Sequence, residues 1–191
     1  MRAALSFRSD LAGGGCFGLG LVEEAGAGHS LRSVLGRFAT GVGVVTTRHR
    51  GQAVGLTVNS FTSVSLDPPL VLWCLRRSST SRVAFTGADH FAINVLACDQ
   101  RELAVRFARS GDRFAGLAVE SGWHGLPLLP GAVGTLACRR DRLVGAGDHL
   151  ILIGRVLHHR ARFGAPLLFV DGEFSAGPDL TDGVKNSIHD S

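Results

Sequence analysis

The stretch Ala53-Val-Gly-Leu-Thr-Val-Asn-Ser-Phe-Thr-Ser-Val-Ser-Leu-Asp-Pro-Pro69 decides how the rest of the chain is read. It is small, polar and glycine-bearing, yet it runs straight into the apolar segment Leu70 to Leu75. Thr57, Asn59, Ser60, Thr62, Ser63 and Ser65 all precede its first titratable side chain, Asp67. A surface of hydroxyls, one amide and backbone N–H groups beside buried strands suits a neutral, planar, hydrogen-bonding ligand better than acid–base chemistry.

Upstream, Ser30 reads as the N-cap of a short amphipathic helix with Leu31, Val34, Leu35 and Phe38 at helical spacing and Gly41 as its stop. Val42 to Arg48 reads as a strand, His49-Arg-Gly-Gln52 as a turn, and the strand resumes at Ala53. Downstream of the Asp67-Pro-Pro69 break, Leu70 to Leu75 has the length and composition of a buried strand. Arg76-Arg-Ser-Ser-Thr-Ser-Arg82 then precedes a second helix start, where the serines serve either as caps or as phosphate ligands. Phe91 to Ala97 is a further strand, and Asp99-Gln-Arg-Glu102 has the form of a capping box for a helix reaching Ala108. Gly111 to Pro130 is loop, holding Phe114, Trp123 and His124. Two long strands, Ala132 to Asp141 and His149 to His158, flank Leu143 to Asp148, and a last hairpin turns at Asp171-Gly172.

This pattern gives about seven strands and three short helices, with hairpin connections and no regular βαβ alternation. It predicts a mainly β, α+β fold: a Greek-key antiparallel barrel with short flanking helices. Residues 1–28 carry Asp10, several glycines and Glu23-Glu24 where a secretory signal would be apolar, and read as a flexible extension. The folded domain spans 29–176 and a polar tail 177–191.

With 191 residues, 45% hydrophobic and 19% charged, one ordinary core is expected. The net charge of +4 comes from scattered arginines, with Lys185 the one lysine, and lacks the clustered basic face of a nucleic-acid binder. No apolar run reaches the roughly 18 residues that a membrane span needs. Cys16, Cys74, Cys98 and Cys138 show no CxxC spacing and read as free thiols of a reducing cytoplasm. No metal is expected: His158 and His159 are adjacent and face opposite sides of a strand. Dinucleotide, P-loop, GxSxG and HExxH signatures are absent. Gly147-Asp148-His149 reads by itself as a turn entering a strand, and Asp148 and His149, being neighbours, are not expected to form a relay.

Taken with five further pieces in the same order, the opening stretch resembles the short-chain flavin reductases, the small components of two-component monooxygenases such as those for phenol and hydroxyphenylacetate. The pieces are Leu35-Gly-Arg-Phe-Ala-Thr-Gly-Val-Gly-Val-Val-Thr-Thr47, Phe91-Ala-Ile-Asn-Val-Leu96, Phe107-Ala with Asp112-Arg-Phe-Ala-Gly116, the GDH turn with Gly154-Arg-Val156, and Pro166-Leu-Leu-Phe169 with Gly172-Glu-Phe174. The similarity spans roughly 30–176 and implies a split barrel, a homodimer, FAD or FMN as cofactor, NADH as hydride donor and a partner flavin-dependent monooxygenase. It implies flavin contacts at Thr57, Val58, Asn59 and Ser60, support from Ser63 and Ser65, ribityl and phosphate contacts at Cys74, Leu75, Ser79, Thr80 and Ser81, and nicotinamide positioning by His149. Phe174 stands where the family often has an aromatic hydroxyl. The alternatives are a pyridoxamine phosphate oxidase-like enzyme, which needs a denser basic clamp than Arg76, Arg77 and Arg82, and a non-catalytic flavin carrier.

Overall fold

The computed structural model describes residues 27–179. Most of the expected N-terminal extension, with Cys16, and most of the C-terminal tail lie outside the described residues. Helix α1 (Ala27–Gly36) leads into β1 (Thr40–Gly41), and β2 (Gly43–His49) turns back as β3 (Gln52–Val58). A second hairpin, β4 (Thr62–Leu66) and β5 (Pro69–Arg76), is followed by α2 (Arg82–Gly87) and β6 (His90–Val95). A single 3-10 turn at Cys98–Gln100 opens α3 (Arg101–Ala108). The loop after it contains β7 (Glu120–Ser121) and β8 (Pro127–Leu128), then the long hairpin β9 (Gly134–Ala146) and β10 (His149–Ala161), and finally β11 (Leu167–Val170) and β12 (Glu173–Ala176).

Seven strands make one antiparallel sheet in the order β3-β2-β6-β9-β10-β5-β4. Its two edges, β3 and β4, are consecutive in sequence and joined by Asn59, Ser60 and Phe61 alone. Four chain steps reach at most about 14 Å, whereas a flat seven-stranded sheet is roughly 29 Å across. The sheet must therefore curl until its edges approach, which makes it a split barrel with the slit at 59–61. Between β5 and its sequence successor β6 lie β10 and β9, the crossing expected of a Greek key.

The interior follows from strand periodicity. Val45, Val58, Trp73, Leu75, Phe91, Ile93 and Leu152 fill the barrel, with Trp73 edge-on to Phe85 at 5.0 Å and to Phe91 at 5.9 Å. Gly154, the glycine after the GDH turn, is what lets Phe91 in: a Cβ there would stand 2.4 Å from its ring. A second apolar layer, including Val42, Val44, Ala104, Phe107 and Leu167, lies between the sheet and α3. Strand β2 is thus covered on both faces, which accounts for its unalternating Val-Val-Thr-Thr.

Several element boundaries differ from expectation. Helix α1 starts at Ala27, so Ser30 sits inside it, and it ends before Gly41 because Arg37 and Phe38 donate to Val34 and Leu35 in a tight last turn. The box at the start of α3 is made two residues earlier than expected, by the Ala97 N–H to Gln100 Oε1 at 3.1 Å. Strand β9 continues through Leu143 to Ala146, leaving only Gly147 and Asp148 as the turn, with φ of 54° at Gly147. Cross-strand pairing with β10 extends the strand through Arg142, Leu143, Val144 and the glycine-bearing Gly145-Ala146, a short mixed stretch with no alternating pattern of its own. Cys138 is buried, and Cys74 and Cys98 are half-buried free thiols. No described helix is long and apolar enough to cross a membrane.

Candidate functional site

At the slit the polar side chains of the opening stretch first hold the protein together. The Cys74 N–H donates to Ser60 Oγ at 2.9 Å, tying the crossing to β5. The Thr57 hydroxyl donates to the Ala104 carbonyl at 2.6 Å, tying β3 to α3. Between these ties opens a cleft of about 550 Å³, floored by the end of β3 and walled by the end of β5, the turn after it and the last residues of α3.

Eight of the twelve sequence-predicted residues line it: Thr57, Val58, Asn59, Ser60, Cys74, Ser79, Thr80 and His149. Asn59 is exposed and its side chain makes no hydrogen bond among the described residues. The other four lie elsewhere. Leu75 points into the barrel, fully buried, because successive strand side chains alternate and Cys74 takes the cleft side. Ser63 and Ser65 flank a bulge on β4 opposite Val71 and Leu70, outside the cleft. Ser81 is buried beside it and accepts a hydrogen bond from Arg113 at 3.2 Å.

Ser78, Phe107, Ala108, Ser110 and Arg113 also line the cleft and were not singled out as site residues in the sequence, and Arg76, weighed there only with Arg77 and Arg82 as a basic clamp, lines it too. Arg113 lies within the Asp112 to Gly116 motif, so a signal existed, but nothing local placed it opposite β3. The turn 78–81 satisfies itself: Ser79 N–H donates to the Arg76 carbonyl, Arg82 N–H to the Ser79 carbonyl and Ser81 N–H to Ser79 Oγ. Helix α2 has six residues and its Ser81 makes no side-chain cap. The side-chain hydroxyls of Ser78, Ser79 and Thr80, not a helix terminus, are what this turn offers a ligand.

His149 opens β10 at the cleft wall, and its Nδ1 lies 2.7 Å from Asp148 Oδ1. The turn thus hydrogen-bonds two neighbours that were not expected to act together. The hydrogen bond from His149 holds the Asp148 carboxyl below its ordinary value. An ionised carboxylate only accepts, so Nδ1 carries the proton and Nε2 is the nitrogen left for a ligand. The charged side chains lining the cleft are the cations Arg76 and Arg113, with no carboxylate among them. A neutral ring carrying a phosphate tail matches hydroxyls, backbone edges and guanidinium groups of this kind. Among the described residues no group of three or more His, Cys, Asp or Glu side chains is arranged to hold a metal.

A family model described as flavin reductase like domain matches residues 35–178. The chain is 49% identical over 145 residues to an FMN reductase (NADH) of Agrobacterium fabrum, covering 76% of this chain and 83% of that protein. It is 39% identical over 153 residues to the reductase subunit of a flavin-dependent monooxygenase from Rhodococcus jostii, covering 78% of each. Its fold superposes, with a TM-score of 0.74 and 39% identity, on an NADH:FAD oxidoreductase of Streptomyces globisporus in complex with NAD and FAD fragments, covering 78% of this chain and 92% of that one.

Proposed function

Because the chain belongs to the flavin reductase like domain family, we propose that it is an NADH-dependent flavin reductase supplying reduced FAD or FMN to a partner flavin-dependent monooxygenase. The observation that carries this reading is a single cleft at the barrel slit in which hydroxyl, amide and guanidinium groups converge around an uncharged floor. When bound, the flavin accepts hydride at N5 from nicotinamide C4, so the protein needs to orient and shield and needs no general acid or base.

In this reading Thr57, Val58, Asn59 and Ser60 hold the ring, mainly through their backbone edge, since the Thr57 and Ser60 hydroxyls are engaged by α3 and β5. Cys74 flanks the ribityl chain, and Ser79, Thr80, Arg76 and Arg113 take the phosphate, with Ser81 acting through Arg113. Ser63, Ser65 and Leu75 act only indirectly, through the strands that carry them. His149 positions the nicotinamide with Nε2, its ring held by Asp148. The functional unit is the 29–176 domain, acting in the cytoplasm as a homodimer. Support for the dimer comes from the apolar face that α1 and the turn after it expose among the described residues, at Leu31, Val34, Leu35 and Phe38.

The test is to mix purified protein with NADH and either FAD or FMN and follow the loss of NADH absorbance. Turnover with free flavin supports the reductase. Flavin binding without NADH oxidation would make the protein a carrier, and no response to flavin would overturn the assignment altogether.

A further inference from the structure

The turn that carries His149 is held from behind, by a residue that does not line the cleft. Strand β5 ends at Arg76, which pairs with His149 on β10 and lines the cleft with it. Side chains alternate along an extended chain, so Arg77 goes to the other side, that of Leu75. There it meets the Gly147-Asp148 turn twice. Its backbone N–H donates to the Asp148 carbonyl at 2.9 Å, and its Nε donates to the Gly147 carbonyl at 3.0 Å. The two adjacent arginines thus have different tasks, Arg76 facing the cleft and Arg77 facing the turn.

The fit of this side chain also accounts for a glycine. Gly145 pairs with Leu150, whose side chain is in the barrel core, so the two share the face away from the cleft. A Cβ at Gly145 would stand 2.6 Å from Arg77 Nη2, so the guanidinium lies on bare backbone there. Gly147 needs its glycine for a φ of 54°, whereas Gly145 has no positive φ and is glycine for this close approach. Among the described residues Arg77 makes no ion pair, and its charge is directed at the turn. The tip of a hairpin whose side chains are exposed opens locally at little cost. His149 follows the turn directly and its Nδ1 is bonded to Asp148 within it, so any movement of the turn moves the ring.

We infer that Arg77 is a positioning residue for hydride transfer: by clamping the Gly147-Asp148 turn to the end of β5 it fixes His149, and through His149 the nicotinamide. The inference rests on His149 being the residue that positions the nicotinamide. Arg77 stands between Arg76 and Ser78, both on the cleft wall, so the clamp also sets His149 against the turn whose hydroxyls take the flavin phosphate. Its loss is felt by the nicotinamide and not by the flavin, whose contacts at 57–60 and 79–80 lie outside the clamped turn.

NADH kinetics at saturating flavin, flavin affinity by fluorescence titration and backbone hydrogen exchange are measured on the full chain, for the unmodified protein, Arg77→Ala, Arg77→Lys and Gly145→Ala. Loss of a charge-assisted hydrogen bond raises the NADH Michaelis constant about three-fold to ten-fold in Arg77→Ala and leaves flavin affinity within about two-fold. Amide exchange quickens at Asp148 and His149 while the body of β10 stays protected. Arg77→Lys, which keeps a charged donor but loses the planar fork, recovers part of the NADH affinity. Gly145→Ala pushes the guanidinium off its bed and reproduces the loss, and it stands in if Arg77→Ala fails to fold. In the Arg77→Ala background the same methyl group has room and adds nothing, a non-additivity that two independent structural defects would not give. An NADH Michaelis constant and turn exchange unmoved in both Arg77→Ala and Gly145→Ala overturn the proposal. Flavin affinity falling as far as that for NADH overturns it too, since Arg77 would then support the whole cleft. If the unmodified protein oxidises no NADH with any flavin, the reductase reading falls instead, and the exchange measurement still decides whether Arg77 holds the turn.

Discussion

At Gly55 the absence of one methyl group determines whether β3 can lie against α3. A Cβ there would stand 2.7 Å from Cε1 of the fully buried Phe107 and 3.2 Å from Cζ of the half-buried Phe114. Gly55→Ala is expected to cost about 1–3 kcal/mol by overpacking, read as a lower midpoint in denaturant unfolding, and to weaken flavin binding because β3 floors the cleft. His149 and Asp148 make a different kind of residue-level prediction. His149→Ala is expected to raise the NADH Michaelis constant more than it weakens flavin binding, and unchanged NADH kinetics would remove the assignment. Asp148→Asn leaves a hydrogen-bonding group that presents either oxygen or nitrogen, so its effect should be in the same direction and smaller. His149 was singled out through the resemblance carried by the GDH turn, while its hydrogen bond to Asp148 was not expected; Arg113 was not singled out, because its place depends on where a loop returns to a strand far away in sequence. The hydroxyls of Thr57 and Ser60 were legible as polar groups, but their partners, Ala104 and Cys74, come from other elements.

At the scale of elements, the loop at Trp123 to Gly125 is pinned to the start of β6 by rings. His90 stacks on His124 at 4.4 Å and 16°, and Trp123 lies 5.3 Å from His90 and 4.8 Å from His158. Burial first, then His124, and last Arg139 lower the His90 pKa from 6.5, with Asp89 opposing them. The folded protein therefore holds His90 neutral more tightly than the unfolded chain does. Its contribution to stability is fully present above the unfolded value and is lost as pH falls from there through the lowered folded value. Stability should thus decline on acidification below about pH 6.5, followed by denaturant unfolding across that range with the emission of the half-buried Trp123 as local probe. His90→Phe keeps a ring in the stack and should flatten the slope; an unaltered slope would place the titrating group elsewhere. Apolar runs and turn residues made β2, β3, β5 and β6 readable in advance. The last residues of β9, Arg142 to Ala146, were not readable as strand, since they are held there by pairing with β10 and not by an alternating pattern of their own.

At the scale of the whole molecule, α1 and the turn after it present an apolar face that no described residue covers. Leu31, Val34, Leu35 and Phe38 are 61%, 67%, 63% and 77% exposed, an apolar face that a second copy would cover. Sedimentation should therefore report a dimer, and Val34→Glu with Phe38→Glu should yield folded monomers; a monomeric unmodified protein would remove the dimer from the proposal. What the sequence determined by itself is local and periodic: strand against helix, the glycine turns at Arg50-Gly51 and Asp171-Gly172, whose φ angles are all positive, and the motif order that marks the family. Those features need only neighbouring residues, so they are written within a few positions of where they act. Only the tertiary structure decided the slit, the cleft across it and the placing of Arg113 against β3 at that cleft. Each of these depends on the sheet curling until its first and last strands meet, a long-range closure set by the packing of Trp73, Phe85 and Phe91 inside the barrel.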